Sequence, residues 1–269
     1  YQREIINSVR DNRLTTVKSC HNSGKSFLAA LISLWFLYTH KPAIQYEKTI
    51  VVTTASNARQ VDKLIWGFIR EYHKKAKFSL PGRIFRRPLL EINGQEWYAI
   101  GMTAKDSGSF QGFHAPNLLV IVDEAAEIGE DIYPGIFALT TSENNKLLLI
   151  GNPTVTSGTF YNSFKDPNYS KISISAFNTP NFLKFDITEQ DIVNNTWLEK
   201  VANNKLPLSG LITPAWTYER FRQYGGTNNP LWISRVLGEF PEQTIDTLIP
   251  LGHIQHSIKL HEQYKLGEI

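Results

Sequence analysis

Cysteine is almost missing. Cys20 is the single one among 269 residues, so no disulfide can form within the chain and the composition points to a reducing compartment. Excess charge of one sign is also missing, because 28 Lys and Arg against 25 Asp and Glu leave a formal charge of +3. Any nucleic-acid contact must therefore come from a local patch rather than from bulk charge. No apolar run is long enough to cross a bilayer. The longest, residues 27–38 (FLAALISLWFLY), falls short of the roughly 20 residues that a spanning helix needs and reads as a buried helix. The first residues, YQRE, lack the charged start, apolar centre and small-residue cleavage site of a secretory signal. No internal repeat or low-complexity segment is present. What remains is 42% hydrophobic and 20% charged, enough for one large or two unequal domains with a substantial core.

The patterning alternates short apolar strands with helices. Strands are expected at 14–17 (LTTV), 48–53 (KTIVVT), 97–102 (WYAIGM), 118–122 (LLVIV), 146–150 (KLLLI) and 171–175. Helices are expected from about Lys25 and over 57–75, where Val61, Leu64, Ile65, Phe68 and Ile69 recur at three- and four-residue spacing. Near-continuous apolar strands between helices indicate a mainly parallel sheet covered on both faces, an α/β architecture. From Phe182 the chain becomes more polar and looks helical, ending in the turn GGTNNP at 225–230. We therefore expect a core over 1–181, a smaller helical subdomain over 182–240, and a tail over 241–269.

The strongest motif is Ser19-Cys20-His21-Asn22-Ser23-Gly24-Lys25-Ser26. It matches the P-loop pattern GxxxxGK[ST], with Ser19 in place of the first glycine. Gly-Lys-Ser alone is common. Here, however, an expected strand precedes it and an apolar helix follows, the context in which backbone N–H groups at a helix N-terminus face phosphate. Gly24 would allow close backbone approach, Lys25 would meet the β- and γ-phosphates of ATP, and Ser26 would ligate Mg²⁺.

A second element supports a hydrolytic site. The strand LLVIV runs into Asp123-Glu124, the Walker B form, in which Asp123 holds Mg²⁺ and Glu124 orients and deprotonates water. A strand ending in solvated acids is frequent, but less so about a hundred residues after a P-loop. The paired acids also argue against a nucleotide kinase, which needs no water-activating group. A third strand ends in Gly151-Asn152-Pro153, at the edge where open α/β sheets bind ligands. There Asn152 could sense the γ-phosphate or the attacking water, or merely precede a turn.

Taken together, these residues resemble the large terminase subunit of tailed bacteriophages, specifically its N-terminal ATPase domain. The likeness runs over nearly the whole chain: YQREII, KSCHNSGKS, FQGFHAPNLLVIVDEA, LLLIGNPTVTSGTFYNSF, LITPAWTYERF and RVLGEFP. P-loops are widespread, whereas FQGFHAP and RVLGEFP are much narrower signals. The resemblance implies a ring-forming motor that couples ATP hydrolysis to movement of double-stranded DNA into a procapsid. Its implied partners are a portal protein and a small terminase subunit, and its place is the host cytoplasm at the procapsid portal. Gln2 matches the glutamine that reads adenine, with Tyr1 near the base. Lys25, Ser26, Asp123, Glu124 and Asn152 match the roles derived above, and the Gly-Asn-Pro segment matches the motif that couples hydrolysis to movement. The family's nuclease acids begin soon after a segment like RVLGEFP. This chain has no later metal-spaced cluster, so DNA cleavage is not expected from it.

Two positions depart from the family. His21 stands where many terminases carry a P-loop arginine, and Gln111-Gly112 where many carry one ahead of Walker B. Phosphoryl transfer needs a cation on developing charge and a neutral imidazole is a poor one, which leaves Arg83, Arg86 or Arg87 from a neighbouring subunit as candidates. Lys74, Lys75, Lys77 and these arginines form the densest basic stretch, readable as a DNA-phosphate patch or a solvated helix end. Trp197, Trp216 and Trp232 read as core anchors, or else as stacking platforms. A helicase-like ATPase and a nucleotide-binding assembly subunit with vestigial hydrolysis stay open as alternatives. Bulky thiol reagents at Cys20 are expected to block ATP.

Overall fold

A strand buried on both faces has no polar side to alternate, and the runs of Val, Ile and Leu do fold into the middle of a sheet. The computed structural model describes residues 1–43, 47–94, 96–103 and 107–242, together with 257, 258 and 261. The chain opens with α1 (Gln2–Asp11), β1 (Leu14–Ser19), α2 (Lys25–Thr39) and β2 (Thr49–Thr54). A π-helical turn (Gln60–Ile65) then leads into α3 (Trp66–Lys74). The hairpin strands β3 (Arg83–Ile84), β4 (Leu89–Asn93) and β5 (Trp97–Met102) follow. Next come β6 (Asn117–Asp123), α4 (Tyr133–Ala138), β7 (Asn145–Gly151), α5 (Gly158–Ser163) and β8 (Ser170–Ile174). Short helices complete the chain: α6 (Pro180–Leu183), α7 (Glu189–Val193), α8 (Trp197–Val201), α9 (Pro214–Tyr224) and α10 (Pro230–Trp232), with a second π-helical turn at Ile233–Leu237.

Among the described residues these strands make one eight-stranded sheet in the order β3-β4-β5-β2-β6-β7-β1-β8. From β5 to β8 all pairings are parallel, and only the β3–β4–β5 edge is antiparallel. Every residue of β2 and of β6 is buried, which is why the sequence shows continuous apolar runs there. Alternate residues feed two cores, as the pleat requires. Leu119 and Ile121 of β6 pack under α1, α2 and α3, while Leu118, Val120 and Val122 pack with Tyr133 and Ile136 of α4 and with Phe160. A third core joins Phe182, Ile192, Ile212, Trp232 and Val236 to Cys20 of the loop after β1.

All six expected strands form, within a residue or two at their ends. The helix expected over 57–75 is interrupted, since its first turns widen into the π-helical turn before α3. Sequence patterning missed α1 and the β3–β4 hairpin. A two-residue strand such as β3 has too little length to show periodicity. The basic stretch consequently divides, with Lys74 closing α3 and Arg83 entering an edge strand. Trp232 is wholly buried, and Trp197 and Trp216 pack against the same core, so these side chains are anchors and not stacking platforms. The expected tail over 241–269 lies almost wholly outside the described residues.

One glycine shows how tightly the third core is seated on the sheet. Gly238 has φ +68°, and a Cβ there would lie 2.3 Å from the Ile174 carbonyl oxygen and 2.8 Å from the Cys20 nitrogen. Both neighbours are main chain and cannot swing aside. Gly238→Ala is therefore expected to lower unfolding free energy by at least about 2 kcal/mol. Denaturant titration checks this, and an unchanged midpoint would refute the close approach.

Candidate nucleotide site

The loop after β1 is held from both sides. The Cys20 N–H donates to the Ile174 carbonyl of β8 and the His21 N–H to the Arg235 carbonyl, each at 2.8 Å. Asn22 and Gly24 take left-handed backbone at φ 50° and 81°, which turns the loop into the N-terminus of α2, the positive end of a helix 15 residues long. Ser19 keeps ordinary extended backbone as the last residue of β1, so a side chain is tolerated where the P-loop pattern has glycine. Its hydroxyl accepts from Ser23 Oγ at 3.1 Å.

Sheet order decides what faces this loop. β7 lies between β1 and β6, and the register sets Lys18 beside Gly151 and Asp123 beside Ile150. Three strands thus end at one level. Lys25 Nζ donates to Asn152 Oδ1 at 3.0 Å and lies 3.4 Å from Glu124 Oε1. Asn152 Nδ2 donates to the Ser19 carbonyl at 2.6 Å, which fixes the orientation of the amide. Ser26 Oγ donates to Asp123 Oδ2 at 2.6 Å.

Glu124 adopts left-handed backbone at φ 51°, a costly conformation for a side-chain-bearing residue and one that gathers at functional sites. Burial pushes its pKa up, Lys25 pulls it down, and the neighbouring Asp123 and Glu127 push it up again. Among the described residues no group of three or more His, Cys, Asp or Glu side chains is placed to hold a metal. The Ser26–Asp123 pair fits Mg²⁺ of the kind that takes one hydroxyl and one carboxylate from protein and its other ligands from phosphate and water.

Beside the loop opens a cleft of about 740 Å³. Gln2 lines it together with residues 21–26 and Glu124. Tyr1 sits next to it, its hydroxyl donating to the Ser23 carbonyl at 2.9 Å. Sequence reading missed the opposite walls. Phe27, Phe68 and Tyr72 form an aromatic cluster with ring centroids 5.1–5.7 Å from Phe27, and Leu208 and Leu211 face the cleft from the region of short helices. Phe27 and Phe68 were legible only as apolar helix positions.

Cys20 is fully buried in the third core and does not line the cleft. Burial pushes its thiol up to about 12, which removes thiolate reactivity at neutral pH. The expectation that thiol reagents block the site is thus corrected: the main chain of Cys20 belongs to the loop while its side chain belongs to the core. Arg83, Arg86 and Arg87 do not line the cleft of their own chain. Five strands separate β3 from β1, about 29 Å at ordinary strand spacing.

His21 stands 6.2 Å from the Trp216 ring. Burial, then the charges of Lys25 and Arg235, lower its pKa from 6.5 to about 4. Between those two values an unfolded chain binds a proton that the folded chain refuses, so stability rises with pH across that window. His21→Asn is expected to flatten the dependence of the denaturation midpoint on pH between 4 and 6.5. An unaltered slope in the variant would contradict it.

No family model matches the chain. A probable terminase large subunit of Enterobacteria phage P7 is 24% identical over 267 residues, which cover 96% of this chain and 49% of that protein. The chain thus spans about half the length of this curated relative. An arginine-to-alanine mutant of the large terminase ATPase domain of Thermus phage P74-26 superposes with TM-score 0.59 at 16% identity, covering 89% of this chain and 92% of that one. A large terminase from a thermophilic bacteriophage, in complex with ADP, superposes with TM-score 0.58 at 12% identity over 89% of this chain and 52% of that one. The chain is a sequence relative of a phage large terminase and carries the fold of the large-terminase ATPase domain.

Proposed function

We propose that this chain is the ATP-hydrolysing motor domain of a large terminase, driving double-stranded viral DNA into a procapsid. The observation that carries the reading is the convergence of Lys25, Glu124, Asn152 and the Ser26–Asp123 pair on one edge of the sheet. The ADP complex of a structural neighbour supports nucleotide as the ligand of the cleft. On this reading residues 1–181 are the ATPase core, 182–240 a smaller subdomain and 241–269 a connecting tail.

Gln2 reads the base edge from the cleft wall, with the aromatic and leucine side chains opposite. The N–H groups of residues 20–26 and the ammonium of Lys25 take the phosphates, at a helix N-terminus where negative charge is favoured. Ser26 and Asp123 hold Mg²⁺, which when bound neutralises phosphate charge. Glu124 accepts the proton of the attacking water. Its elevated pKa suits a base that works nearer neutrality than an exposed carboxylate does. Asn152, bonded to both Lys25 and the loop carbonyl, registers the terminal phosphate and hands the change to the chain after β7. The basic side chains of 74–87 supply sequence-independent contact with DNA phosphates. A portal protein, a small terminase subunit and a ring of like chains in the host cytoplasm complete the assembly in this reading.

Three outcomes are expected from steady-state ATPase assays and nucleotide titration. Glu124→Gln keeps nucleotide binding but loses about 10²–10⁴-fold in turnover, since the amide retains size and loses the base. Lys25→Ala weakens binding itself. A base must be ionised to act, so the rate falls as pH drops through the Glu124 pKa, and burial places that acid limb above the ordinary 4.5. Normal turnover by Glu124→Gln would sink the assignment. Turnover per chain that rises with protein concentration or with duplex DNA supports a shared, DNA-coupled site. Turnover indifferent to both counts against the motor reading.

A further inference from the structure

Charge develops on the terminal phosphate during transfer, and P-loop enzymes meet it with a cation besides the loop lysine. His21 at the loop tip is held neutral. Lys18 is engaged by Glu239 and lies over the Phe164 and Phe240 rings. Arg220 lies over Trp216, 5.6 Å from its ring, and within 3.6 Å of Glu219.

Arg235 differs from each of these in resting against the loop and in pairing with no carboxylate, although the Nε of Arg220 is likewise buried without a partner. Its carbonyl accepts the His21 N–H at 2.8 Å, so its main chain rests against the loop. Its charge is near enough to the His21 imidazole to help depress it. Yet its Nε is buried without a hydrogen-bond partner, and the guanidinium pairs with no carboxylate among the described residues. A buried, unpaired donor on a cation costs free energy and calls for an acceptor. The supporting element is closely packed. It is the π-helical turn Ile233–Leu237, a geometry concentrated at functional sites, set between buried Trp232 and close-packed Gly238.

Resting on the ATPase reading, we propose that Arg235 is the cation supplied in cis: its guanidinium turns onto the terminal phosphate of bound ATP, the acceptor its buried Nε lacks. The turn at Ile233–Leu237 then distinguishes ATP from ADP, and the loss of that contact on phosphate release loosens the third core from the nucleotide.

The test is titration of the full chain, Arg235→Gln and Arg235→Lys with ADP and with ATPγS in the presence of Mg²⁺. The parent chain is expected to prefer ATPγS, and Arg235→Gln to bind ADP as before while losing ATPγS affinity by about 10- to 100-fold, the range of one charged hydrogen bond. Arg235→Lys should recover part of the preference, since the ammonium keeps the charge but not the fork. An Arg235→Gln chain that still prefers ATPγS overturns the proposal. Equal loss of both nucleotides also overturns it, assigning Arg235 to loop support. If the parent chain binds neither nucleotide, the ATPase reading itself falls, which keeps the two failures apart.

Discussion

The contact on which the site depends is the meeting of Lys25 with Asn152 and Glu124, and it exists because three parallel strands end at the same height. Lys25 follows β1, Asn152 follows β7 and Glu124 follows β6, and the registers align those ends to within a residue. A slip of one position would turn every inward side chain outward. The buried faces of β6 and β7 therefore hold these side chains in place as well as the core. Strand burial and the geometry of the proposed site are one constraint.

The second constraint is that the loop after β1 is a shared boundary. Its main chain faces the cleft, while Cys20 is inserted into the third core with Trp232 and Val236. Residues 174 and 235 each accept one of its amide hydrogens. The loop and the region of short helices are thereby joined by direct contact. Gly238 closes this joint by bringing main chain against main chain, where any side chain would collide.

Electrostatics at the loop follow from burial more than from composition. A chain of nearly balanced charge concentrates Lys25, Asp123, Glu124, His21 and Arg235 around one loop. Desolvation moves Glu124 up and His21 down, so a carboxyl is drawn above its ordinary range and an imidazole is held neutral. Mutual proximity of Lys25 and Glu124 keeps both charged groups tolerable away from bulk water.

The sequence by itself determined the local chemistry. The Ser19–Ser26 loop, the acids after an apolar strand, the Gly-Asn-Pro turn and the parallel sheet were legible because each is written in consecutive residues or in short-range periodicity. Tertiary structure alone decided which of these meet. That β7 lies between β1 and β6, that Phe68, Tyr72 and Leu211 wall one cleft with Gln2, and that Arg235 rests on a loop more than two hundred positions earlier are consequences of long-range pairing. No local pattern encodes strand order. Burial likewise settled what each side chain was for. Cys20 looked open to reagents and proved to be core, and the three tryptophans took the anchoring role rather than that of platforms, because exposure is set by neighbours distant in the chain and not by residue type.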